Sequence, residues 1–265
     1  MNCARFKQVF PKLDCFVFEK QASTSTWLKQ AVRAQTLAKP TLCYTHQQTQ
    51  GYGQRGRQWT HLPGALALSY AVPLTFDLSQ HLYLNAWLAM TLAETLQSLY
   101  PDAALTVKWP NDIYLDDDKL GGLLVEVERQ HQLQSQPQTW LIIGVGLNVL
   151  PGEFDPQLMH TTFKKMAWLD HQPHWPVIQS WLLGVNQGLQ FIENQHLVFR
   201  PSHWQRLDYF APNEDVIVYD NGTSYQASYG GISQQGQLIL RVNQQPITHH
   251  NGQVSIRPLS RTRAL

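Results

Sequence analysis

Between residues 81 and 100 the chain reads HLYLNAWLAMTLAETLQSLY, and Leu84, Leu88, Leu92, Leu96 and Leu99 return every three or four positions. That period is the apolar stripe of a helix that buries one face and leaves the other polar. A second stripe, WPVIQSWLLGVNQGLQFIENQ at 175–195, predicts another helix, with an amphipathic piece following through HWQRLDYF. Nearer the N-terminus, CFVF (15–18) reads as a short strand. STSTWLKQAVRAQTLA (23–38) reads as a helix with Ser23 or Thr24 at its N-cap. TLCYT (41–45), ALALSYAV (65–72), LTVKW (105–109), DIYL (112–115), GLLVEVE (122–128) and TWLIIGVGL (139–147) have strand character. Together they predict one mixed sheet carrying helices.

From about residue 212 the pattern shortens to VIVY (216–219), TSYQASYGGI (223–232), QLILRV (237–242) and VSIRPL (254–259), separated by DNG, QQG and HNG turns. The expectation is an α+β chain with a larger domain over residues 1–210 and a small β-barrel-like domain over 211–265.

Composition narrows the classes of function. At 265 residues the chain can bury a sizeable core, and 43 % hydrophobic and 15 % charged residues exclude a disordered or acidic-tail protein. There is no broad basic field, so neither nucleic acid nor an anionic membrane is an expected partner. MNCARFKQVFPKL lacks the pattern of a secretory signal, and the longest apolar run, WLIIGVGL at 140–147, falls short of the roughly 20 residues that span a bilayer. A soluble cytoplasmic protein is expected. Cys3, Cys15 and Cys43 are unspaced for zinc and read as thiols of a reducing compartment.

Candidate chemistry begins with TQGYGQRGRQW at 49–59, where Gly51, Gly53 and Gly56 alternate with Arg55 and Arg57 before Trp59. This is a loop between two strands, with backbone freedom beside fixed positive charge. The signatures of P-loop enzymes, zincins and α/β-hydrolases are missing. His171 and His174 sit in the Pro-broken DHQPHWP without an acidic or Cys partner, so a metal there is not expected. KWPNDIYLDDDKLGG sets Lys108 at a strand end, orients Asn111 and Asp112 through Pro110, turns at Asp116–Asp118 and returns with Lys119 before a glycine pair. Asp116–Asp118 read as a solvated tip. Lys108, Lys119 and the arginines suit an anionic substrate and a nucleoside triphosphate, and Asp112 suits Mg²⁺.

In QTQGYGQRGRQW, KWPNDIY, KLGGLLVE and GVGLNV, taken in that order, the chain resembles a biotin protein ligase of the type without a DNA-binding domain, over about residues 18–259. The resemblance implies a catalytic fold like that of class II aminoacyl-tRNA synthetases plus a C-terminal SH3-like barrel. It implies that biotin and ATP form biotinyl-5′-AMP, and that the biotinyl group then passes to a lysine of a biotin carboxyl carrier domain of a carboxylase. Matched position by position, Ser23, Thr24, Ser25, Gln48, Gly51, Tyr52, Gly53 and Gln54 meet biotin. Lys119 reaches the biotin carboxyl or the adenylate phosphate. Lys108, Asn111 and Asp112 face ATP and Mg²⁺, Arg55, Arg57 and Trp59 the adenylate, Asn148 the adenine side, and Arg257 reaches the nucleotide from the C-terminal domain. A homodimer is a candidate assembly.

The family's loop reads GRGRRGR where this chain has GYGQRGR, and its Asp-Ser-Thr-Asn is here Ala22-Ser23-Thr24-Ser25. Loss of arginine at Tyr52 and Gln54 leads to an expectation of weaker hold on the adenylate. No helix-turn-helix precedes residue 18, so a repressor role is not expected. Two other readings are a lipoate or octanoate ligase, against which KWPNDIY with KLGG argues, and a degenerate biotin-binding regulatory domain, against which the retention of both Lys108 and Lys119 argues.

Overall fold

The computed structural model describes residues 3–130, 138–149, 174–195 and 197–259, apart from the side chain at position 5. In chain order the elements are α1 (Cys3–Val9), β1 (Asp14–Gln21), α2 (Thr24–Arg33), β2 (Thr41–Gln48), β3 (Gly51–Tyr52), β4 (Gln58–Trp59) and β5 (Ala65–Pro73). Next come α3 (Leu84–Leu99), β6 (Leu105–Lys108), β7 (Asp112–Leu115), β8 (Asp118–Gln130), β9 (Gln138–Asn148), α4 (His174–Glu193) and α5 (Pro201–Gln205). The last are β10 (Asp215–Asp220), β11 (Thr223–Ile232), β12 (Leu238–Val242), β13 (Gln245–His249) and β14 (Ser255–Pro258). The chain divides into two compact units, Met1–Asp77 with Asp117–Ser180, and Leu78–Asp116 with Trp181–Leu265. Neither unit is a single stretch of chain.

In the first unit the strands lie in the order β1-β2-β5-β9-β8. β1 and β2 are parallel and the other neighbours antiparallel. A parallel pair needs a crossover, and α2 supplies it. β5 is buried from Ala65 to Val72, as a central strand covered on both faces must be, and Ser69 is the lone hydroxyl within that aliphatic run apart from the tyrosine beside it. Leu28 and Val32 of α2 pack with Cys43, Ala71, Trp140 and Ile142, all on one face by strand alternation and register. The Trp140 indole donates to Gln130 Oε1 at 2.8 Å, so the largest core ring leaves no donor stranded.

In the second unit, α3 buries Leu84, Leu88, Leu92 and Leu96, and the later turns of α4 bury Trp181, Leu182, Val185, Leu189 and Ile192. β6 and β7 form an antiparallel hairpin in which Lys108 stands opposite Asp112. The C-terminal strands run β13-β12-β11-β10-β14, a five-stranded antiparallel ladder, and among the described residues no pairing joins its edge strands β13 and β14. Asn221 and Gly222 both carry positive φ at the β10–β11 turn, the backbone of the Asn-Gly hairpin that DNG predicts. α1, the short β3–β4 pair and β13 are additional to the elements expected from the sequence.

Asp208 ties this second unit together. Its neighbours Leu207 and Tyr209 bond the backbone of Val107, with Val107 N–H donating to Leu207 O at 2.5 Å and Tyr209 N–H to Val107 O at 3.1 Å. Its carboxyl accepts the Tyr229 hydroxyl of β11 at 2.6 Å. Burial outweighs those hydrogen bonds and pushes the Asp208 carboxyl up to about 7. The folded state therefore holds this proton more tightly than the unfolded chain, whose aspartate titrates near pH ~3.9. The contribution to stability is full below that pH, falls as pH rises towards about 7 and is flat beyond. Asp208→Asn, which keeps an acceptor for Tyr229, is expected to flatten the fall in unfolding free energy between pH 5 and pH 8, measured by chemical denaturation. An unchanged slope in the variant rejects this assignment.

Candidate active site

The first unit gathers polar side chains at one place, the N-terminus of α2. Ser23 is extended (φ −154°, ψ 130°) and its hydroxyl caps the helix by accepting from Thr26 N–H at 3.3 Å. Gln48, at the end of β2, presents Oε1 to the Thr24 N–H at 2.9 Å and to the Thr24 hydroxyl at 3.2 Å. Thr24 Oγ1 and Ser69 Oγ are 2.7 Å apart, and Ser25 Oγ and Ser69 Oγ 2.8 Å. Thr24, Ser25 and Ser69 are all buried. Ser69 was not among the sequence candidates. Its signal was a lone hydroxyl in the aliphatic run ALALSYAV.

The floor beside this cluster is made of small residues. Register puts Ser69 opposite Gly144, and Ala67 opposite Gly146, which is in turn opposite Gly122. A Cβ at Gly144 would lie 2.7 Å from Ser25 Oγ, and one at Gly146 would lie 2.6 Å from Trp59 Cζ2. Both positions admit only glycine if the helix and the indole are to approach so closely. The Trp59 Nε1 is enclosed without a hydrogen-bond partner, and so is Oδ1 of Asn148 at the end of β9. A donor and an acceptor held this way call for a ligand or water.

The glycine loop is a miniature hairpin, not an irregular strap. Gly51 pairs with Trp59 and Tyr52 with Gln58, and a short turn over Gln54–Gly56 is closed by Gly53 N–H to Arg57 O at 2.7 Å. Arg55 sits in the left-handed region (φ 57°, ψ 28°), and Arg55 and Arg57 are exposed, whereas Gly53 and Gln54 are half-buried. The Tyr52 hydroxyl donates to Glu126 Oε2 at 2.8 Å, and Lys29 Nζ meets Glu126 Oε1 at 2.7 Å.

Lys119 is half-buried in the first unit and belongs to β8, where the ladder to β9 begins at Gly121. The reading of Asp116–Asp118 as a solvated tip is corrected at its last residue. Asp116 and Asp117 are exposed, but Asp118 starts β8, and its Oδ1 is enclosed without a hydrogen-bond partner. In the second unit, Asn111 is buried and Asp112 half-buried. The Trp109–Pro110 bond is cis, Trp109 Nε1 donates to Gly236 O at 3.0 Å, and Asn85 Nδ2 donates to Pro110 O at 3.1 Å. Lys108 Nζ lies 5.4, 5.5 and 6.0 Å from the ring centres of Tyr114, Tyr209 and Phe210, a cation–π box that fixes an otherwise flexible ammonium. Arg257 is exposed, its guanidinium 5.1 Å above the Tyr219 ring. His174 is held by Tyr44 (2.9 Å) and Gly64 O (3.2 Å), while His171 lies outside the described residues.

The profile of the biotin/lipoate A/B protein ligase family matches residues 17–148, the span that holds the hydroxyl cluster, the glycine floor and the loop. The chain carries a domain of this family. Among its relatives, the bifunctional ligase/repressor BirA of Escherichia coli (strain K12) is 27 % identical over 217 residues, 81 % of this chain and 66 % of that protein. The chain thus spans just under two thirds of that relative's length. The biotin–[acetyl-CoA-carboxylase] ligase of Mycobacterium tuberculosis is 34 % identical over 120 residues, 41 % of this chain and 40 % of that one. In fold the chain is similar to the biotin protein ligase of Aquifex aeolicus, solved in complex with biotin and ATP, with a TM-score of 0.74 at 20 % identity over 92 % of this chain and 99 % of that one. The mixed sheet with flanking helices is the fold of these ligases. Arg257 and the C-terminal sheet lie beyond the stretch that the family profile matches.

Within this family domain the closeness of Trp59 to Gly146 is testable. Gly146→Ala should destabilise the protein by roughly 1–3 kcal/mol through overpacking against the indole. The same substitution in a Trp59→Ala background should cost far less, because the clash is gone. Denaturant titration of the four proteins decides it, and equal costs in both backgrounds refute the contact.

Proposed function

We propose that the chain activates biotin with ATP to biotinyl-5′-AMP, releasing pyrophosphate, and transfers the biotinyl group to a specific lysine of the biotin carboxyl carrier domain of a carboxylase. The observation that carries this reading is the cluster of buried Thr24, Ser25 and Ser69 with half-buried Gln48 beside a floor of glycines. Such a pocket suits a flat neutral ring with its own donors and acceptors, as in a ureido group, because every buried polar atom must find a partner. These groups are bonded to one another, and a ureido ring can exchange those bonds for its own donors and acceptors, whereas the apolar stem of a linear acyl chain offers none, which counts against a lipoate or octanoate substrate.

In the first step a biotin carboxylate oxygen attacks the α-phosphorus of ATP and pyrophosphate leaves. Negative charge is concentrated at the reacting phosphate, and Lys119, Lys108, Arg55 and Arg57 are the cations proposed to stabilise it. Ser23, through its cap, holds the first turn of α2 so that Thr24 and Ser25 face the ring. Gly51, Tyr52, Gly53 and Gln54 carry the loop past biotin. Trp59 Nε1 and Asn148 Oδ1, the enclosed donor and acceptor, are suited to the adenylate. Asn111 and Asp112 complete the ATP site, and Arg257 is proposed to reach the nucleotide from the C-terminal sheet. In the second step the carrier lysine attacks the acyl carbon and AMP leaves.

Mg²⁺ commonly binds through one or two carboxylates together with substrate phosphates. Asp112 fits that single-carboxylate role, and among the described residues no group of three or more His, Cys, Asp or Glu could hold a metal by itself. Mg²⁺ there would neutralise the phosphates. The reading takes residues 1–210 as the ligase part, 211–265 as a second domain and the cytoplasm as its setting. Among the described residues no helix is long and apolar enough to cross a membrane.

The decisive measurement is ATP–pyrophosphate exchange with the purified chain. Exchange should require biotin and should not be supported by lipoate or octanoate; exchange with lipoate at a comparable rate would overturn the substrate assignment. Lys119→Ala should lower biotin-dependent exchange by roughly 30- to 1,000-fold, the loss of one charge-assisted contact worth about 2–4 kcal/mol, with the melting temperature little changed. Arg257→Ala should raise the KM for ATP more than that for biotin, and equal effects on both would remove Arg257 from the site.

A further inference from the structure

The structure assigns to Tyr52, Glu126 and Lys29 the task of anchoring the glycine loop on the sheet before any ligand arrives. The assignment of that loop to biotin rests on the function proposed above, but the anchor itself does not. Three elements meet at Glu126. β8 supplies the carboxylate, α2 supplies Lys29 Nζ at 2.7 Å to one oxygen, and β3 supplies the Tyr52 hydroxyl at 2.8 Å to the other. Lys29 Nζ also lies 5.1 Å above the centre of the Tyr52 ring. The side chains of Lys29 and Glu126 are only 20 % and 22 % exposed, so these are charge-assisted bonds partly withdrawn from water, unlike an open surface pair. Burial works against the Lys29 charge, yet Glu126 and Tyr52 more than offset it and hold the ammonium above its ordinary pKa. Burial raises the Tyr52 phenol, which therefore stays a neutral donor at physiological pH.

The consequence reaches the pocket through the backbone. Tyr52 is paired with Gln58 and Gly51 with Trp59, so fixing the Tyr52 side chain fixes the register of β3 against β4. The Trp59 indole is then set against Gly146. Tyr52 stands where the resemblance places an arginine. An arginine there would offer its charge to an anionic ligand; a tyrosine bonded to a protein carboxylate offers none and instead ties down the base of the loop. The anchor acts at the base of the loop, next to the turn over Gln54–Gly56. Ordering before binding lowers the entropic cost of binding. Lys29, Glu126 and Tyr52 are thus positioning residues, acting on ligand through Trp59 and the loop backbone.

The test uses the ligand-free full chain and its variants Tyr52→Phe, Glu126→Gln, Lys29→Met and the double variant Tyr52→Phe/Glu126→Gln. Trypsin cleavage after Arg55 and Arg57, followed by mass spectrometry, reports loop opening without reference to any substrate. Each single variant should be cut there roughly tenfold faster than wild type, as expected for losing one hydrogen bond to a charged group. Cleavage elsewhere in the chain should be unchanged, and the double variant should be no faster than the singles. In the exchange assay Glu126→Gln and Lys29→Met should raise the biotin KM several-fold while changing kcat far less. Equal loop cleavage in wild type and all variants, or a double variant whose rate is the product of the singles, overturns the anchor. Absence of exchange from wild type and variants alike would count against the biotin reading alone, the anchor then standing or falling on the cleavage rates.

Discussion

The approach of the first turn of α2 to the sheet at Gly144 is the contact on which the site depends. A Cβ there would lie 2.7 Å from Ser25 Oγ, so the hydroxyl or the turn of helix that carries it would have to shift. Either shift disturbs the Ser25–Ser69 contact, and a moved helix would also disturb Thr24 with Ser69 and Gln48. Thr24, Ser25 and Ser69 are buried, so each hydroxyl left unpaired there would cost about 1–3 kcal/mol. The apolar half of the same helix gives the approach its strength: Leu28 and Val32 lie in the core with Trp140 and Ile142. The helix is thus held in the hydrophobic layer by one end and in a hydroxyl network by the other. What this leaves is an uncharged cluster of polar side chains at the N-terminus of the helix.

Charge is distributed differently. Arg55 and Arg57 stand on an exposed turn whose left-handed residue is Arg55, a conformation glycine would adopt without strain. Lys108 is boxed by aromatic rings, which hold an ammonium by its charge. Lys29 is spent on Glu126 and serves the architecture. Cations that could meet an anionic substrate and cations that hold the fold are therefore told apart by what surrounds them, although their residue types are the same.

Much of this was legible in the sequence where local chemistry decides structure. The Leu84–Leu99 stripe, the Ser23 cap and the Asn221–Gly222 turn each follow from spacing or from backbone preference. β13 was not legible. Its turn is Asn243–Gln244 with both φ positive and no glycine to mark it, and Pro246 counts against a strand except at an edge, which is where β13 lies. The extension of β8 back through Lys119 to Asp118 was hidden by the run of acidic residues, which reads as a turn. Ser69 was hidden among aliphatic neighbours, because its importance comes from Gly144 across the ladder and from α2 above it.

The same limit applies to Tyr52, and it changes how the loop is understood. Read along the chain, a tyrosine for an arginine is a subtraction: one positive charge is gone from a segment expected to hold an anion. In three dimensions the residue is joined to Glu126, 74 positions away, and through it to Lys29. The positive charge near Tyr52 is that of Lys29 on α2, and it is neutralised by a carboxylate. An arginine at position 52 would compete with Lys29 for Glu126, so the two arrangements are alternatives. A loop whose arginine is committed to ligand can order fully only when the ligand is present, whereas a loop tied to the sheet is ordered at its base from the start. The departure from the family pattern is therefore coherent with the lysine and glutamate that surround it, and its effect on affinity follows from how much ordering remains, not from the count of arginines.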